Sequence, residues 1–182
     1  MARIIADELK ADLDVVLVRK IGAPHQRELA LGAVDENGEL YLNAWAERDG
    51  FTRESLKPSI DEELKVIRKR RQLYTGARRP IELKGKTVIL VDDGIATGAT
   101  AMAAISLIRR QHPEKLVVAT GVIPSENLKK FKVICDELVT LEASAVFYSV
   151  GQFYEDFRQV SDEEVISQLK KSKSGTVSAS SR

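Results

Sequence analysis

The architecture of this protein is decided by one stretch, which reads Val88-Ile89-Leu90-Val91-Asp92-Asp93-Gly94-Ile95-Ala96-Thr97-Gly98-Ala99-Thr100. Its first four residues form an apolar run typical of a buried strand, and two carboxylates follow directly. Gly94 and Gly98 then interrupt a loop of small residues, and an apolar-striped helix is predicted over residues 101–110. The order strand, loop, helix is typical of parallel sheets that bind ligands at the carboxyl ends of their strands.

The segments that follow continue this alternation of strands and helices. Strands are predicted over residues 116–123 and 137–141, with a helix over residues 124–131 between them. The strands are apolar throughout instead of alternating in polarity, which indicates a parallel sheet covered by helices on both faces. The predicted fold class is therefore α/β, with an open, mainly parallel sheet.

The N-terminal half adds a hairpin and a basic helix. A helix is predicted over residues 2–10 and a buried strand over residues 14–18, and Asn37-Gly38 between apolar runs predicts a hairpin turn. Ser59-Ile60-Asp61-Glu62 fits a capping box, so a helix is expected over residues 60–74. Its positive charges, which fit either a solvated helix face or an anion-binding surface, are Lys65, Arg68, Lys69, Arg70 and Arg71.

Residues 142–170 are predicted to form a small C-terminal lobe, which we call the hood. Five of the nine Phe and Tyr residues of the chain lie in it, at Phe147, Tyr148, Phe153, Tyr154 and Phe157. They fit either the core of this lobe or a surface that meets a flat ligand. The hood ends in a helix that is expected to begin after Ser161, and the Ser-rich residues 172–182 are expected to be disordered.

Composition limits the size and the partners of the protein. A chain of 182 residues is enough for one core, so residues 1–171 are expected to form a single domain. With 28 Lys and Arg against 27 Asp and Glu, no overall charge attracts nucleic acid or acidic membranes. No apolar run approaches the roughly 20 residues that span a bilayer, the first ten residues do not fit a signal peptide, and Cys135 is the lone cysteine. We therefore expect a cytoplasmic protein without membrane or nucleic-acid partners.

The chemistry of the central loop favours a sugar phosphate. The start of a helix after a glycine-containing loop offers free amides and a positive dipole end to an anion, and Thr97 and Thr100 add hydroxyl donors. Asp92 and Asp93 would accept hydrogen bonds from a diol. A ribose 5-phosphate with free 2- and 3-hydroxyls satisfies both halves. The stretch lacks the Gly-Lys-Ser/Thr of a nucleotide-binding P-loop and the glycine spacing of a dinucleotide fingerprint.

This stretch resembles the 5-phosphoribosyl-1-pyrophosphate (PRPP) motif of the type I phosphoribosyltransferases: four apolar residues, two acids, then a small-residue loop ending in Thr-Gly-x-Thr. The resemblance extends over about residues 2–169. Residues 18–24 and 151–157 are similar to segments of uncharacterised, bacterial-type phosphoribosyltransferase-domain proteins.

The resemblance implies a role for each matching residue. Asp92 and Asp93 would hold the ribose hydroxyls, directly or through Mg²⁺, with no other metal ligand in the protein. Arg19 and Lys20 would lie near the pyrophosphate, although a solvated strand end fits them equally. Main-chain amides and the two Thr hydroxyls would hold the 5-phosphate, over Gly94, Ile95, Ala96, Thr97, Gly98, Ala99 and Thr100.

The other implied features surround this site. Phe153 and Tyr154 of the hood would border a nucleobase, with packing of the hood as the alternative. Residues 26–79 would form a mobile excursion that closes over the substrate and excludes water. Because related enzymes commonly form dimers, a homodimer is expected.

The implied activity is Mg²⁺-dependent transfer of the 5-phosphoribosyl group from PRPP to a small nitrogen nucleophile, a nucleobase above all, with release of pyrophosphate. The alternative is a non-catalytic regulatory module that binds PRPP or a nucleotide. Ala96 stands where the hypoxanthine-guanine branch has an acid, which argues against that branch. The family also has a strand and a pyrophosphate-contacting loop before its first helix, whereas Met1 to Ala6 resemble the inside of that helix. Reduced or absent transferase activity is therefore expected of the 182-residue chain.

Overall fold

The computed structural model describes residues 1–23, 26–76 and 80–171. The expectation for residues 172–182 lies outside this part of the chain. The elements in chain order are α1 (Ala2–Glu8), β1 (Val18–Ala23), β2 (Gln26–Asp35), β3 (Leu40–Leu42), α2 (Ala44–Arg48), α3 (Lys57–Thr75), β4 (Thr87–Gly94), α4 (Ala99–Arg109), β5 (Lys115–Pro124), α5 (Leu128–Ile134), β6 (Glu137–Ser144) and α6 (Asp162–Lys171). Single 3-10 turns lie at Ser125–Asn127 and Val150–Phe153.

The predicted parallel sheet is confirmed, with strand order β4-β5-β6. Its middle strand β5 is buried along most of its length, which explains why its sequence does not alternate in polarity. The register places Asp92 of β4 beside Thr120 of β5, and Thr120 beside Thr140 of β6. The carboxyl ends of the three strands therefore meet at one edge of the sheet.

One hydrophobic core holds the helices to this sheet. Ile105 and Ile108 of α4 and Phe131 of α5 pack together with Leu116 and Val118 of β5. The Phe131 side chain is completely buried, so truncating it to Ala is expected to cost about 3–5 kcal/mol of stability. This core fixes α4, and therefore the beginning of α4, against the carboxyl edge of the sheet.

The N-terminal half forms an antiparallel sheet of order β1-β2-β3. The predicted hairpin is confirmed: Gly38 takes a φ of +82° in the turn between β2 and β3, a conformation that suits glycine. Gly32 permits close pairing of these strands, because a Cβ there would lie 1.9 Å from the Tyr41 carbonyl oxygen. Ile60 and Ile67 of α3 pack in the core of this sheet.

Helix α4 connects the two sheets. It contributes to the core of the parallel sheet and also contacts all three strands of the antiparallel one. At its end the Arg110 guanidinium donates to the Asp35 carboxylate, which is only 1% exposed. The other Asp35 oxygen accepts the amides of Asn37 and Glu39 in the hairpin turn, at 2.9 and 3.0 Å. This buried carboxylate ties the hairpin to α4.

The prediction of a buried strand over residues 14–18 is wrong, because β1 begins only at Val18. Val15 packs against the core of the antiparallel sheet, whereas Val16 packs against that of the parallel one. The Val15 carbonyl accepts from Arg71, and the Val15 amide donates to the Asp14 carboxylate at 2.9 Å. Side chains thus take up backbone groups of this segment that a strand would have used in a ladder.

The capping prediction for α3 is also wrong, whereas that for α6 is confirmed. Helix α3 begins at Lys57 without a side-chain cap, with a proline in its first turn, so Ser59 lies inside the helix. At α6, Ser161 and Glu164 exchange side-chain to backbone hydrogen bonds of 2.9 and 3.2 Å. The same four-residue pattern therefore predicts the start of α6 correctly and the start of α3 incorrectly.

Candidate functional site

The two acids of the central stretch end strand β4. Asp93 is exposed, whereas Asp92 lies partly beneath the surface at the sheet edge. Burial raises the pKa of Asp92 to about 6, and a hydrogen bond with the Asp93 carboxyl and the charge of that group contribute. The pair thus holds a proton below about pH 6 and has largely released it near neutral pH, where its carboxylates can accept a cation or a hydrogen-bond donor.

Helix α4 begins directly after the loop. Gly98 is its N-cap with a φ of +81°, and no side chain caps the helix. The first main-chain bond of the helix runs from the Met102 amide to the Gly98 carbonyl, so the amides of Ala99 and Thr100 have no acceptor within the helix. Thr97 and Thr100 are exposed beside them. The start of α4 therefore offers amides, hydroxyls and a positive dipole end to an anion.

For Ile95 the structure changes the expectation. Its amide donates to the Val122 carbonyl at 2.9 Å, and its side chain is 2% exposed in the core. This amide is engaged in joining the loop to β5, so the amides open to an anion begin after Ile95. Gly98 is also structural, because a Cβ there would lie 3.0 Å from the Phe131 ring.

A side chain that the sequence analysis missed holds the loop. Asn127, in the turn after β5, donates its side-chain amide to the Ala96 carbonyl at 2.8 Å. The sequence carries no signal for this contact, because Asn127 belongs to no motif and lies 31 residues away.

The hood meets the site through Tyr154. Its hydroxyl donates to the Asp93 carbonyl at 2.6 Å. Burial raises the pKa of Tyr154, and the charges of Asp93 and Asp92 raise it further. The Tyr154 ring lies 5.2 Å from that of Phe157, between ring centres. Tyr154 therefore reaches the acid pair itself.

Two glycines make room for the hood. A Cβ on Gly121 would lie 2.1 Å from the Tyr154 hydroxyl oxygen, and a Cβ on Gly94 would lie 2.4 Å from a Val150 methyl. Any larger residue at either position would force the hood away from the loop. The Phe153 ring, the other predicted base contact, packs against Phe147 with 5.4 Å between ring centres.

Arg19 and Lys20 line a cavity of about 480 Å³ between β1 and α3. Thr100 also lines it, which connects this cavity to the beginning of α4. Across the cavity Arg19 forms an ion pair with Glu63 of α3, with 2.6 Å between Nε and Oε2. The structure thus brings Arg19 and Lys20 close to the loop, but with acids of α3 opposite them.

The predicted basic surface of α3 is partly used inside the protein. Arg71 donates to the Glu36 carboxylate and lies 3.6 Å from Asp14, and Arg70 lies 3.8 Å from Asp162. Lys65, Arg68 and Lys69 are exposed.

The acid pair fits a hard cation that shares its coordination shell with a ligand. Within residues 1–23, 26–76 and 80–171 there is no group of three or more His, Cys, Asp or Glu side chains placed to hold a metal. Asp92 and Asp93 supply carboxylate oxygens only, which are donors that Mg²⁺ accepts alongside phosphate oxygens and water.

The fold and the site define the class: an α/β protein with an acid pair and an open helix start at the carboxyl edge of a parallel sheet. The family profile described as "Phosphoribosyl transferase domain" matches residues 1–158. The chain therefore belongs to the phosphoribosyl transferase domain family.

Relatives agree with this family. Two Mycobacterium tuberculosis proteins, from strains CDC 1551 and H37Rv and both named "Putative phosphoribosyl transferase", are 39% identical over 166 residues, which is 91% of this chain and 38% of theirs. The chain thus spans well under half the length of these curated relatives. The crystal structure of TT1426 from Thermus thermophilus has a TM-score of 0.76 and 41% identity, over 93% of this chain and 80% of that one.

A shorter similarity covers about a third of the chain. A ribose-phosphate pyrophosphokinase of Pyrococcus furiosus is 38% identical over 60 residues, or 32% of this chain and 22% of that protein.

Separately, the described part of the chain contains no helix long and apolar enough to cross a bilayer.

Proposed function

We propose that this protein binds PRPP and transfers its 5-phosphoribosyl group to a small nitrogen nucleophile, a nucleobase above all, with release of pyrophosphate. The observation that carries the proposal is the joining of Asp92 and Asp93 to the start of α4 by one short loop. A strand end with two carboxylates and a helix start with free amides suit the two ends of a ribose 5-phosphate.

Each half of the site has its own task in this reaction. The amides after Ile95, together with the Thr97 and Thr100 hydroxyls, would bind the 5-phosphate. Asp92 and Asp93 would accept hydrogen bonds from the 2- and 3-hydroxyls. Binding at both ends fixes the anomeric carbon relative to the protein, and such fixed geometry supplies much of the rate of a two-reactant step.

The chemical step breaks the bond between the anomeric carbon and the pyrophosphate oxygen and forms a bond from that carbon to nitrogen, while the N–H proton of the nucleophile passes to water or to the departing pyrophosphate. The electron pair of the broken bond leaves with pyrophosphate, and positive charge develops on the ribose ring. The Asp92 and Asp93 carboxylates, hydrogen-bonded to the ring hydroxyls, would favour that charge. Mg²⁺, held by substrate oxygens with Asp92 and Asp93, would neutralise charge on the leaving group as a Lewis acid.

Arg19 and Lys20 are proposed to bind the pyrophosphate, because they line a cavity that also includes Thr100. For Arg19 this requires an exchange, since its guanidinium is paired with Glu63. Phe153 and Tyr154 are proposed to border the acceptor, and residues 26–79 are proposed to close over the ligands.

The alternative function is a regulatory module that binds PRPP or a nucleotide without turnover. The Arg19–Glu63 ion pair favours it, because the Glu63 carboxylate competes with a leaving pyrophosphate for the Arg19 guanidinium.

One experiment separates the two functions. The 182-residue protein is incubated with Mg²⁺, PRPP and a panel of nucleobases, and pyrophosphate release is followed alongside PRPP binding. Release with one base supports the transferase, and binding without release supports the module. Absence of both binding and release would contradict each proposal.

Location and assembly are also proposals. Charged, phosphorylated substrates and a lone, buried cysteine support a cytoplasmic location. A homodimer is proposed from the family resemblance, and sedimentation of the protein over a range of concentrations tests it.

A further inference from the structure

We propose that Asn127 and Tyr154 are positioning residues, which fix two peptide groups of the loop and so set the directions of the groups that bind ribose 5-phosphate. This inference rests on the proposed function, because it concerns the same site. Neither residue needs to touch ribose 5-phosphate for this role. Each acts through a main-chain carbonyl of the loop, Asn127 at Ala96 and Tyr154 at Asp93.

The Asn127 contact determines where an amide points. The Ala96 carbonyl that accepts from Asn127 belongs to the same peptide group as the Thr97 amide. No peptide bond in the described chain is cis, and in a planar trans peptide the C=O and N–H point in opposite directions. Asn127 therefore turns the Thr97 amide to the opposite side of the loop. We infer that this orientation makes the Thr97 amide part of the phosphate site.

The Tyr154 contact acts in the same way at the acid pair. Its hydroxyl holds the carbonyl of Asp93 at 2.6 Å and so fixes the peptide group between Asp93 and Gly94. The hydroxyl can reach that carbonyl only because Gly121 has no Cβ. A Cβ there would lie 2.1 Å from the Tyr154 hydroxyl oxygen. Val150 fills the corresponding space at Gly94. The hood therefore sets the end of β4 from which the Asp93 side chain projects.

The two contacts come from different parts of the chain. Asn127 lies in the turn after β5, whereas Tyr154 belongs to the hood beyond β6. The two contacts hold the loop at carbonyls three residues apart. A loop that is already held loses less conformational freedom when a ligand binds, so the contacts should increase the affinity for the ligand. Each contact can be removed separately, and each should affect a different part of the ligand.

The test uses two near-isosteric variants and two ligands. Asn127→Leu removes the amide donor, and Tyr154→Phe removes only the hydroxyl. Ser125→Ala is the control for Asn127, because Ser125 lies in the same turn and donates to the Ala143 carbonyl instead. Tyr148→Phe is the control for Tyr154, because Tyr148 is 88% exposed in the same hood. Calorimetry measures the binding of inorganic phosphate and of ribose 5-phosphate to each protein.

The expected result is a difference between ligands. Asn127→Leu should weaken phosphate and ribose 5-phosphate alike, by about tenfold, because both would use the Thr97 amide. Tyr154→Phe should weaken ribose 5-phosphate by about tenfold while phosphate changes less than about twofold, because only the sugar reaches the acids. Both controls should bind as the unchanged protein does.

The failures are distinguishable. If the unchanged protein binds ribose 5-phosphate while both variants match their controls, the positioning roles are overturned and the proposed function stands. If each variant weakens both ligands in proportion to a loss of folding free energy measured in urea, the roles are general structural ones and the inference is likewise overturned. If the unchanged protein binds neither ligand, the proposed function and this inference fall together.

Discussion

Asp93 is the residue whose role in ligand binding can be tested most directly. It is exposed at the end of β4, and its main-chain carbonyl is held by Tyr154. Asp93→Asn keeps the shape of the side chain and removes the charge that would accept the ribose hydroxyls. We expect PRPP affinity to fall by at least about 1.5 kcal/mol, or roughly tenfold, the value of a charge-assisted hydrogen bond. Calorimetric titration with PRPP and Mg²⁺ measures it, and unchanged affinity would refute the role.

The raised pKa of Asp92 predicts that the stability of the protein depends on pH. Its pKa is about 6 in the folded protein, against an ordinary value near 3.9 in an unfolded chain, so the folded state binds the proton more tightly. The stability that this proton contributes is complete below about pH 4 and is lost as the pH rises through 6. The unfolding free energy of Asp92→Asn minus that of the unchanged protein should therefore rise by about 2 kcal/mol as the pH goes from roughly 4 to 7.5.

Urea unfolding at a series of pH values measures this difference. Asp12→Asn is the matched control, because Asp12 is exposed outside the secondary structure, and its curve should run parallel to that of the unchanged protein. A parallel curve for Asp92→Asn would show that burial does not hold the proton on Asp92.

At the scale of elements, the buried carboxylate of Asp35 controls how the hairpin attaches to α4. Asp35→Asn keeps an oxygen for the Asn37 and Glu39 amides but presents an NH₂ group to the Arg110 guanidinium. We expect a loss of about 2 kcal/mol in unfolding free energy, less than for a wholly buried pair because Arg110 is 41% exposed.

A surface ion pair provides the comparison. Lys115→Gln breaks a pair with Glu137 that is about half exposed on both sides, and should cost no more than about 0.5 kcal/mol. Equal losses for Asp35→Asn and Lys115→Gln, measured by urea unfolding, would mean that Asp35 does not anchor the hairpin. Because this anchor ties the hairpin to α4, whose start forms part of the site, a movement of residues 26–79 over the site would have to come from parts of this segment other than the hairpin.

The elements also show where sequence patterns suffice and where they fail. The parallel sheet could be predicted because β4 and β5 are apolar runs separated by one helix, which leaves few ways to cover them. The irregular backbone before Val18 could not be predicted, because Val15 and Val16 pack against two different cores and the Val15 carbonyl accepts from Arg71. Such partners are distant in sequence, and a local pattern does not record them.

The same distinction holds for the site. The acids and the start of α4 were recognisable, since strand, loop and helix are contiguous in the sequence. The contacts of Asn127 and Tyr154 with the loop span 31 and 61 residues and end on main-chain carbonyls, which any residue supplies. Only the folded chain shows that glycine at Gly121 admits the Tyr154 hydroxyl.

At the scale of the whole molecule, the cavity between β1 and α3 is lined by residues from both halves of the chain. Arg19 and Glu63 face each other across it, and Thr100 of α4 belongs to its wall. If pyrophosphate binds here, it competes with the Glu63 carboxylate for the Arg19 guanidinium. The ion pair, with side chains 37% and 24% exposed, is worth about 1 kcal/mol, so a ligand with several negative charges can displace it.

Glu63→Gln tests this competition, because it keeps the shape of the side chain and removes the competing charge. We expect inorganic pyrophosphate to bind about fivefold more tightly, and Arg19→Gln to bind it about fivefold more weakly, as follows from roughly 1 kcal/mol per charged contact. In the double variant the gain from Glu63→Gln should disappear, because it acts only through Arg19. Glu8→Gln, at an exposed position of α1, controls for the change in net charge. If Glu63→Gln still strengthens pyrophosphate binding when Arg19 is replaced, Glu63 acts only by general charge repulsion. Arg19 would then not belong to the pyrophosphate site.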